Sequence, residues 1–204
     1  MTEPERPLRR DDLDGDPAVQ FNRWYEDAAA VLDLPEAVAL ATADGDGRPS
    51  VRMVLCKGLD ERGIKFHTGH VSRKGRELEA NPRGALLFYW HPPGRQVRVE
   101  GPVERASDRE SERYFRTRPR AGQIGAWASS QSEVIGSRDE LEEHVRRYER
   151  QFEGRDVPLP PHWGGYLLQP AEWEFWQHRD SRLHDRFRYR HQDNGGWKIE
   201  RLAP

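Results

Sequence analysis

The sequence is short of several things, and each shortage removes a class of function. Among 204 residues there is one cysteine, Cys56, so no intramolecular disulfide can form and the chain suits a reducing compartment. Cys56 sits between Leu55 and Lys57 in an apolar strand, which reads as a small buried side chain more than as a nucleophile, although the adjacent lysine favours thiolate. No run of about 18 apolar residues occurs, which excludes a transmembrane helix. Residues 1–16 mix acids and bases, unlike a signal peptide, so the expected address is cytoplasmic. Positive charge is not in excess: 33 Lys and Arg against 35 Asp and Glu leave a formal net charge of -2, too little field to hold a nucleic-acid backbone. No glycine fingerprint of the dinucleotide or P-loop kind follows an expected strand, and no internal repeat is found. His162, His178, His184 and His191 crowd the last third, but their spacings match no tight zinc pattern, and no metal is expected.

What remains is a chain of one domain's length. Hydrophobic residues are 35% and charged residues 33%, a lean core for this size, which suggests that a partner subunit contributes apolar burial. The Pro-rich, charged residues 1–16 read as a mobile segment and 17–204 as a single domain. Periodicity predicts helices over 17–31, 73–81, 108–117, 123–128 and 138–152. Strands are predicted over 37–43, 51–57, 64–68, 85–90, 96–105, 166–169, 173–178, 187–190 and 197–202, the last two forming a hairpin across Asn194-Gly195-Gly196. In the strand at 96–105, Val97, Val99 and Val103 alternate with Gln96, Arg98 and Glu100, so Gln96 falls on the polar face. Strands that do not alternate regularly with helices argue for an antiparallel barrel with attached helices, an α+β fold that is mainly β.

Four segments carry chemistry. In PSVRMVLCK, Arg52 and Lys57 are five apart, hence on opposite faces of a flat strand unless a bulge or strand end intervenes. In HVSRKGRELEANP, Ser72 is the expected N-cap, with Arg73 and Lys74 in the first helical turn. Cations there oppose the macrodipole unless an anion is also present, and helix-start N–H groups would converge on a phosphate. Tyr114 and Arg118 are four apart and share a side if the helix reaches that far, although Pro119 biases Arg118 away from helical angles. Gln131 and Ser132 add neutral donors and acceptors. Near the end, Trp176, Arg182, His184, Asp185 and Arg186 lie close in sequence with Phe175 and Phe187, a planar fork, an imidazole and an apolar plate suited to a flat anion.

Taken in order, RMVLCK, SRK, RQV, YFRTRP, QIGAW, SQS, EFWQ, RLHDR and the terminal WKIERLAP closely resemble pyridoxamine (pyridoxine) 5'-phosphate oxidase, from roughly Leu8 to Pro204. The resemblance implies an antiparallel split β-barrel of the FMN-binding type with peripheral helices, and a homodimer with FMN in the clefts between subunits. Carried over by residue, it implies FMN contacts from Arg52, Met53, Val54, Leu55, Cys56, Lys57, His67, Thr68, Arg73, Lys74, Gln96, Gln131, Ser132, Trp176 and Arg186. It implies a substrate phosphate grip by Lys57, Tyr114 and Arg118. It also implies Arg182 and His184, with Leu183 between them, over the pyridine ring of the substrate as the catalytic pair, with Asp185 a candidate orienter of nearby cations. Gly122 stands where the family commonly has a phosphate-binding Ser, His67 where a Tyr is frequent, and the N-terminus lacks an Arg-rich, Tyr-containing arm.

The implied reaction is oxidation of pyridoxamine or pyridoxine 5'-phosphate at C4' to pyridoxal 5'-phosphate. A hydride passes to flavin, dioxygen is reduced to hydrogen peroxide, and ammonia is released from the amine. Two alternatives stand beside it: a related split-barrel FMN oxidase acting on another planar substrate such as a phenazine precursor, and a non-enzymatic flavin or pyridoxal-phosphate carrier.

Overall fold

The computed structural model describes residues 7–193 and 195–204. The first helix, α1 (Pro17–Ala29), starts where the Asp16 carboxylate accepts the Ala18 N–H and where Pro17 lacks an N–H that would need a partner. Then come β1 (Ala37–Ala43), β2 (Pro49–Leu55), β3 (Leu59–Asp60), β4 (Gly63–Gly69), α2 (Arg73–Ala80), β5 (Arg83–Trp90) and β6 (Arg95–Arg105). Three helices follow, α3 (Asp108–Thr117), α4 (Arg120–Ala128) and α5 (Arg138–Gln151), and finally β7 (Trp163–Leu168), β8 (Glu172–Gln177), β9 (Asp185–His191) and β10 (Trp197–Leu202). Helix α4 starts three residues earlier than its apolar pattern suggests. Pro119 sets the backbone for it, and the Arg120 guanidinium is held by the Phe152 and Arg155 carbonyls.

All strand pairs among the described residues are antiparallel, in the order β10-β9-β8-β6-β5-β1-β2, with β7, β4 and β3 branching from β6. The branch point curls the sheet into a split barrel. Strand β6 pairs with β8 over Arg95 to Glu100 and with β7 over Val103 to Arg105. Gly101 lies at the changeover, where a Cβ would sit 1.8 Å from the Gln169 carbonyl oxygen, so only a residue without a side chain lets the two pairings meet.

Val97, Val99 and Val103 point into the core, as their alternation predicts. There they join Phe21 and Trp24 of α1, Phe88, Trp90, Trp173, Phe175, Phe187 and Tyr189. A satellite core of Phe115, Ile124, Phe152 and Val157 holds α3, α4 and α5 together and reaches β7 through Trp163. Edge strand β2 leaves Val51, Met53 and Leu55 exposed on one side.

The mobile segment expected over 1–16 meets a different arrangement in its described part. Residues 1–6 lie outside the described residues, but Leu8 and Leu13 are buried in the main core. The Leu8 N–H donates to Asp185 Oδ2 (3.1 Å), Arg201 donates to the Leu8 carbonyl (2.9 Å) and Tyr189 Oη to the Asp14 carbonyl (2.8 Å). Charge-rich composition hides two buried leucines, and the C-terminal strands satisfy the backbone groups of Leu8 and the carbonyl of Asp14. At the other end β9 and β10 pair from His191↔Trp197 onward, with Gly195 and Gly196 both at φ 82°. Asn194 of the expected turn lies outside the described residues.

Candidate active site

The outer strand β2, the start of α2, the end of α3 and the loop after α4 enclose a cavity of about 850 Å³. Arg52, Lys57, Arg73, Lys74 and Arg118 line it, and no described lining residue is a carboxylate. Met53, Val54, Leu55, His67, Thr68, Tyr114, Gln131 and Ser132 share the wall. Cys56 does not line it: the thiol is buried, and burial pushes it up against the weaker opposite pull of Lys57. Gly122 stands behind the wall, where an added Cβ would meet Arg118 Nη2 at 3.3 Å.

The cations differ in how their charge is met. Glu77, nearly buried, accepts from Ser50 (2.6 Å), Thr42, Arg52 (3.1 Å) and Arg73 (2.8 Å). Burial pushes its carboxyl up, but the hydrogen bonds from Ser50, Thr42, Arg73 and Arg52 outweigh this and hold it at about 2. Part of the anion expected near the helix start is therefore supplied by the protein. The signal was in the sequence, an acid four residues after Arg73 on the same helix. Lys57 Nζ lies 3.6 Å from Glu36. Lys74 has only neutral oxygens close by, Thr68 Oγ1 at 3.0 Å and Gln131 Oε1 at 3.1 Å. Burial, assisted by Arg52, lowers it to about 8.

The five-residue separation of Arg52 and Lys57 is resolved by a strand end. Strand β2 stops at Leu55, and the Lys57 N–H pairs with the Lys65 carbonyl (2.7 Å), so both side chains reach one cavity. Helix α3 stops at Thr117 and Arg118 is extended (φ -72°, ψ 145°), so the continuous-helix geometry for Tyr114 and Arg118 does not form. Stacking holds the pair instead. The Tyr114 ring lies 3.8 Å from that of His67, and the Arg118 guanidinium sits 4.8 Å over Trp163. Trp163 carries no signal of its role in the sequence, because a lone Trp beside a Pro- and Gly-rich stretch has no periodic pattern. Burial, with Arg118 and Lys57 adding to it, lowers His67 to about 4, so the ring is neutral at physiological pH. His67 Nδ1 and Arg118 Nη1 are buried without hydrogen-bond partners among the described residues.

The remaining candidates lie elsewhere in the protomer. Gln96, Trp176 and Arg186 are in direct register across β6, β8 and β9, hence in one row on one face. Arg186 is aimed by Glu174 (2.7 Å) and the Ala203 carbonyl (2.9 Å). Arg182, Leu183 and His184 lie on the β8–β9 connection, with the His184 ring 4.5 Å from Trp176. None of these six lines the cavity. Strands β1, β5 and β6 separate β2 from β8 in the sheet. The candidates thus fall into two groups, a cationic cavity and an aromatic, donor-rich row.

The sequence profile described as "Pyridoxamine 5'-phosphate oxidase" matches residues 25–152, more than half of the chain. The chain belongs to the pyridoxamine 5'-phosphate oxidase family. A second profile, the "Pyridoxine 5'-phosphate oxidase C-terminal dimerisation region", matches residues 163–204. The pyridoxine/pyridoxamine 5'-phosphate oxidase of Rubrobacter xylanophilus is 57% identical, covering 97% of this chain and 91% of the relative. The enzyme of that name from Cupriavidus necator is 54% identical, with coverage of 97% and 93%. Among solved structures, PhzG from Burkholderia lata, in complex with tetrahydrophenazine-1-carboxylic acid, has a TM-score of 0.91 at 34% identity, covering 98% of this chain and 99% of that one. An FMN-binding protein from Nostoc punctiforme has a TM-score of 0.74 at 17% identity, with coverage of 93% and 98%, and shares the fold. As a member of the pyridoxamine 5'-phosphate oxidase family the chain is an FMN-dependent oxidoreductase. The cavity fits that cofactor's phosphate, because no described lining residue is a carboxylate and Lys74, buried against the neutral oxygens of Thr68 and Gln131 at the capped start of α2, calls for an anion.

Proposed function

We infer that this protein oxidises pyridoxamine and pyridoxine 5'-phosphate to pyridoxal 5'-phosphate, in a homodimer whose sites each join the cavity of one subunit to the Gln96, Trp176 and Arg186 row of the other. The observation that carries this reading is the carboxylate-free cationic cavity, large enough for more than one small ligand, with its buried unpartnered guanidinium nitrogen. Arg73, Lys74, Thr68 and the capped start of α2 bind the cofactor phosphate. The backbone and side chains from Arg52 to Lys57, with Gln131 and Ser132, line its ribityl chain and ring. Lys57, Tyr114 and Arg118 hold the substrate phosphate, and Arg182 and His184 position C4' from the second subunit. FMN, when bound, supplies the two-electron acceptor, and dioxygen takes the pair on as hydrogen peroxide. The protein's part is orientation, exclusion of water by the Tyr114, His67 and Trp163 stack, and charge placed where phosphates sit.

The exposed stripe Val51, Met53 and Leu55 beside the cavity supports the homodimer, since it leaves apolar surface for a partner to cover. The single buried thiol suits a cytoplasmic setting, and among the described residues no helix is long and apolar enough to cross a membrane. Higher identity to the B6 oxidases than to the phenazine-bound PhzG favours the B6 substrates. Anaerobic addition of pyridoxamine 5'-phosphate to the yellow holoprotein tests the reading. Bleaching, followed by aldehyde and peroxide when air is admitted, is expected. A flavin left unbleached would indicate a carrier, and oxidation of a dihydrophenazine carboxylate alone would indicate the other oxidase.

A further inference from the structure

The connection from β8 to β9 contains an arrangement that bears on how His184 works. Ser181 (φ 57°, ψ 19°) and Arg182 (φ 60°) are consecutive non-glycine residues in the left-handed region, which L side chains occupy in sequence only when their surroundings enforce it. The tight return they make brings the ends of the connection together, so the Arg179 backbone N–H donates to His184 Nδ1 at 3.1 Å. A backbone N–H can only donate. Nδ1 therefore holds a lone pair, and the neutral ring carries its hydrogen on Nε2. Adding a proton at Nδ1 would set two hydrogens against each other. Trp176 at 4.5 Å and His178 at 5.2 Å fix the ring plane further.

A carboxylate that could make this imidazole a base is adjacent in sequence but engaged elsewhere. Asp185 accepts from the Leu8 N–H (3.1 Å) and Arg201 Nη1 (2.8 Å) and lies 3.8 Å from Arg179 Nε. It clamps the foot of the connection to the N-terminal segment, and among the described hydrogen bonds none joins it to the His184 ring. Resting on the assignment of His184 to the substrate, we propose that His184 acts as a neutral hydrogen-bond donor through Nε2, its tautomer set by the Arg179 N–H, and not as the group that removes a proton from the substrate. Arg179 and the Ser181-Arg182 turn are then positioning elements: they present a donor to an acceptor atom on the substrate.

Nitrogen-15 NMR of histidine-labelled full-length protein reads the ring directly, with the His184 signals assigned by their loss in His184→Gln. A hydrogen on Nε2 and a bare Nδ1 at neutral pH are expected. A hydrogen on Nδ1, alone or with Nε2, overturns the proposal. In turnover, His184→Gln can still donate from near the Nε2 position and should retain kcat within about tenfold of the parent, with His184→Ala losing more. Removal of a true general base costs roughly 10²–10⁴-fold, so His184→Gln as impaired as His184→Ala also overturns it. Failure of the unaltered protein to oxidise pyridoxine 5'-phosphate would count against the functional reading alone, because the NMR measurement needs no turnover and still decides the tautomer.

Discussion

Lys74 and Arg118 differ from the other cations of the cavity in their surroundings. Arg52 and Arg73 share Glu77, whereas Lys74 is met only by neutral oxygens and Arg118 by aromatic faces. Burial lowers Lys74 to about 8. Near that pH the lysine is therefore only partly protonated, and a bound phosphate, by favouring the charged form, should draw in protons. Calorimetric titration of FMN into apoprotein in two buffers of different ionisation enthalpy should show this uptake near pH 8 and little of it at pH 6. Affinity should fall as pH rises above 8. For the substrate end, Lys57→Ala and Arg118→Ala each remove a charge-assisted hydrogen bond and should raise KM about ten- to a hundredfold with smaller effects on kcat. Arg182→Ala should lower kcat more than it raises KM. Steady-state kinetics checks the contrast, and equal small effects from all three would defeat the assignment.

Helix α2 is where fold and site share one contact set. Ser72 caps it by accepting the Gly75 N–H (3.3 Å), and Glu77 on its next turn ties it to β1 and β2 through Thr42, Ser50 and Arg52. Because the folded Glu77 carboxyl lies at about 2, below its ordinary value, the stability it contributes is complete above the unfolded value and is lost as pH falls toward 2. Glu77→Gln should destabilise by about 2 kcal/mol at pH 7, leaving Arg52 with less counter-charge, and the difference from the parent should shrink in urea melts at acid pH. The β6 corner is a purely steric element. Gly101→Ala puts a methyl group onto the Gln169 carbonyl and should cost about 3 kcal/mol by the same melts.

At the scale of the whole molecule, the two half-sites make a prediction that single-site substitutions cannot. If each active site takes Arg118 from one subunit and Arg182 from the other, a heterodimer of Arg118→Ala and Arg182→Ala protomers has one site intact and one doubly altered. Random reassortment makes half the dimers heterodimers, so a mixture of the two impaired variants should recover about a quarter of parental activity. No recovery after verified subunit exchange would place both groups in one protomer's site. Met53→Lys, on the exposed stripe of β2, should shift sedimentation toward monomer and loosen FMN together.

The sequence by itself determined the α-helices and every strand but the two-residue β3 to within a few residues, the Ser72 cap, the inward valines of β6 and the resemblance that names the family, because each rests on local spacing and side-chain chemistry. It also pointed to Arg73 and Lys74 as a phosphate end. Only the tertiary structure decided that Glu77 pairs directly with Arg52 and Arg73 while Lys74 is met at close range by neutral oxygens and Arg118 by aromatic faces, since those contacts join elements across loops that leave no periodic trace. The same holds for Trp163 beneath Arg118, for Leu8 docked on Asp185, and for Arg182 and His184 on the β8–β9 connection, outside the cavity lining. Sequence spacing reports which residues can meet; long-range packing decides which of them share charge, bury one another or fall in different parts of the sheet.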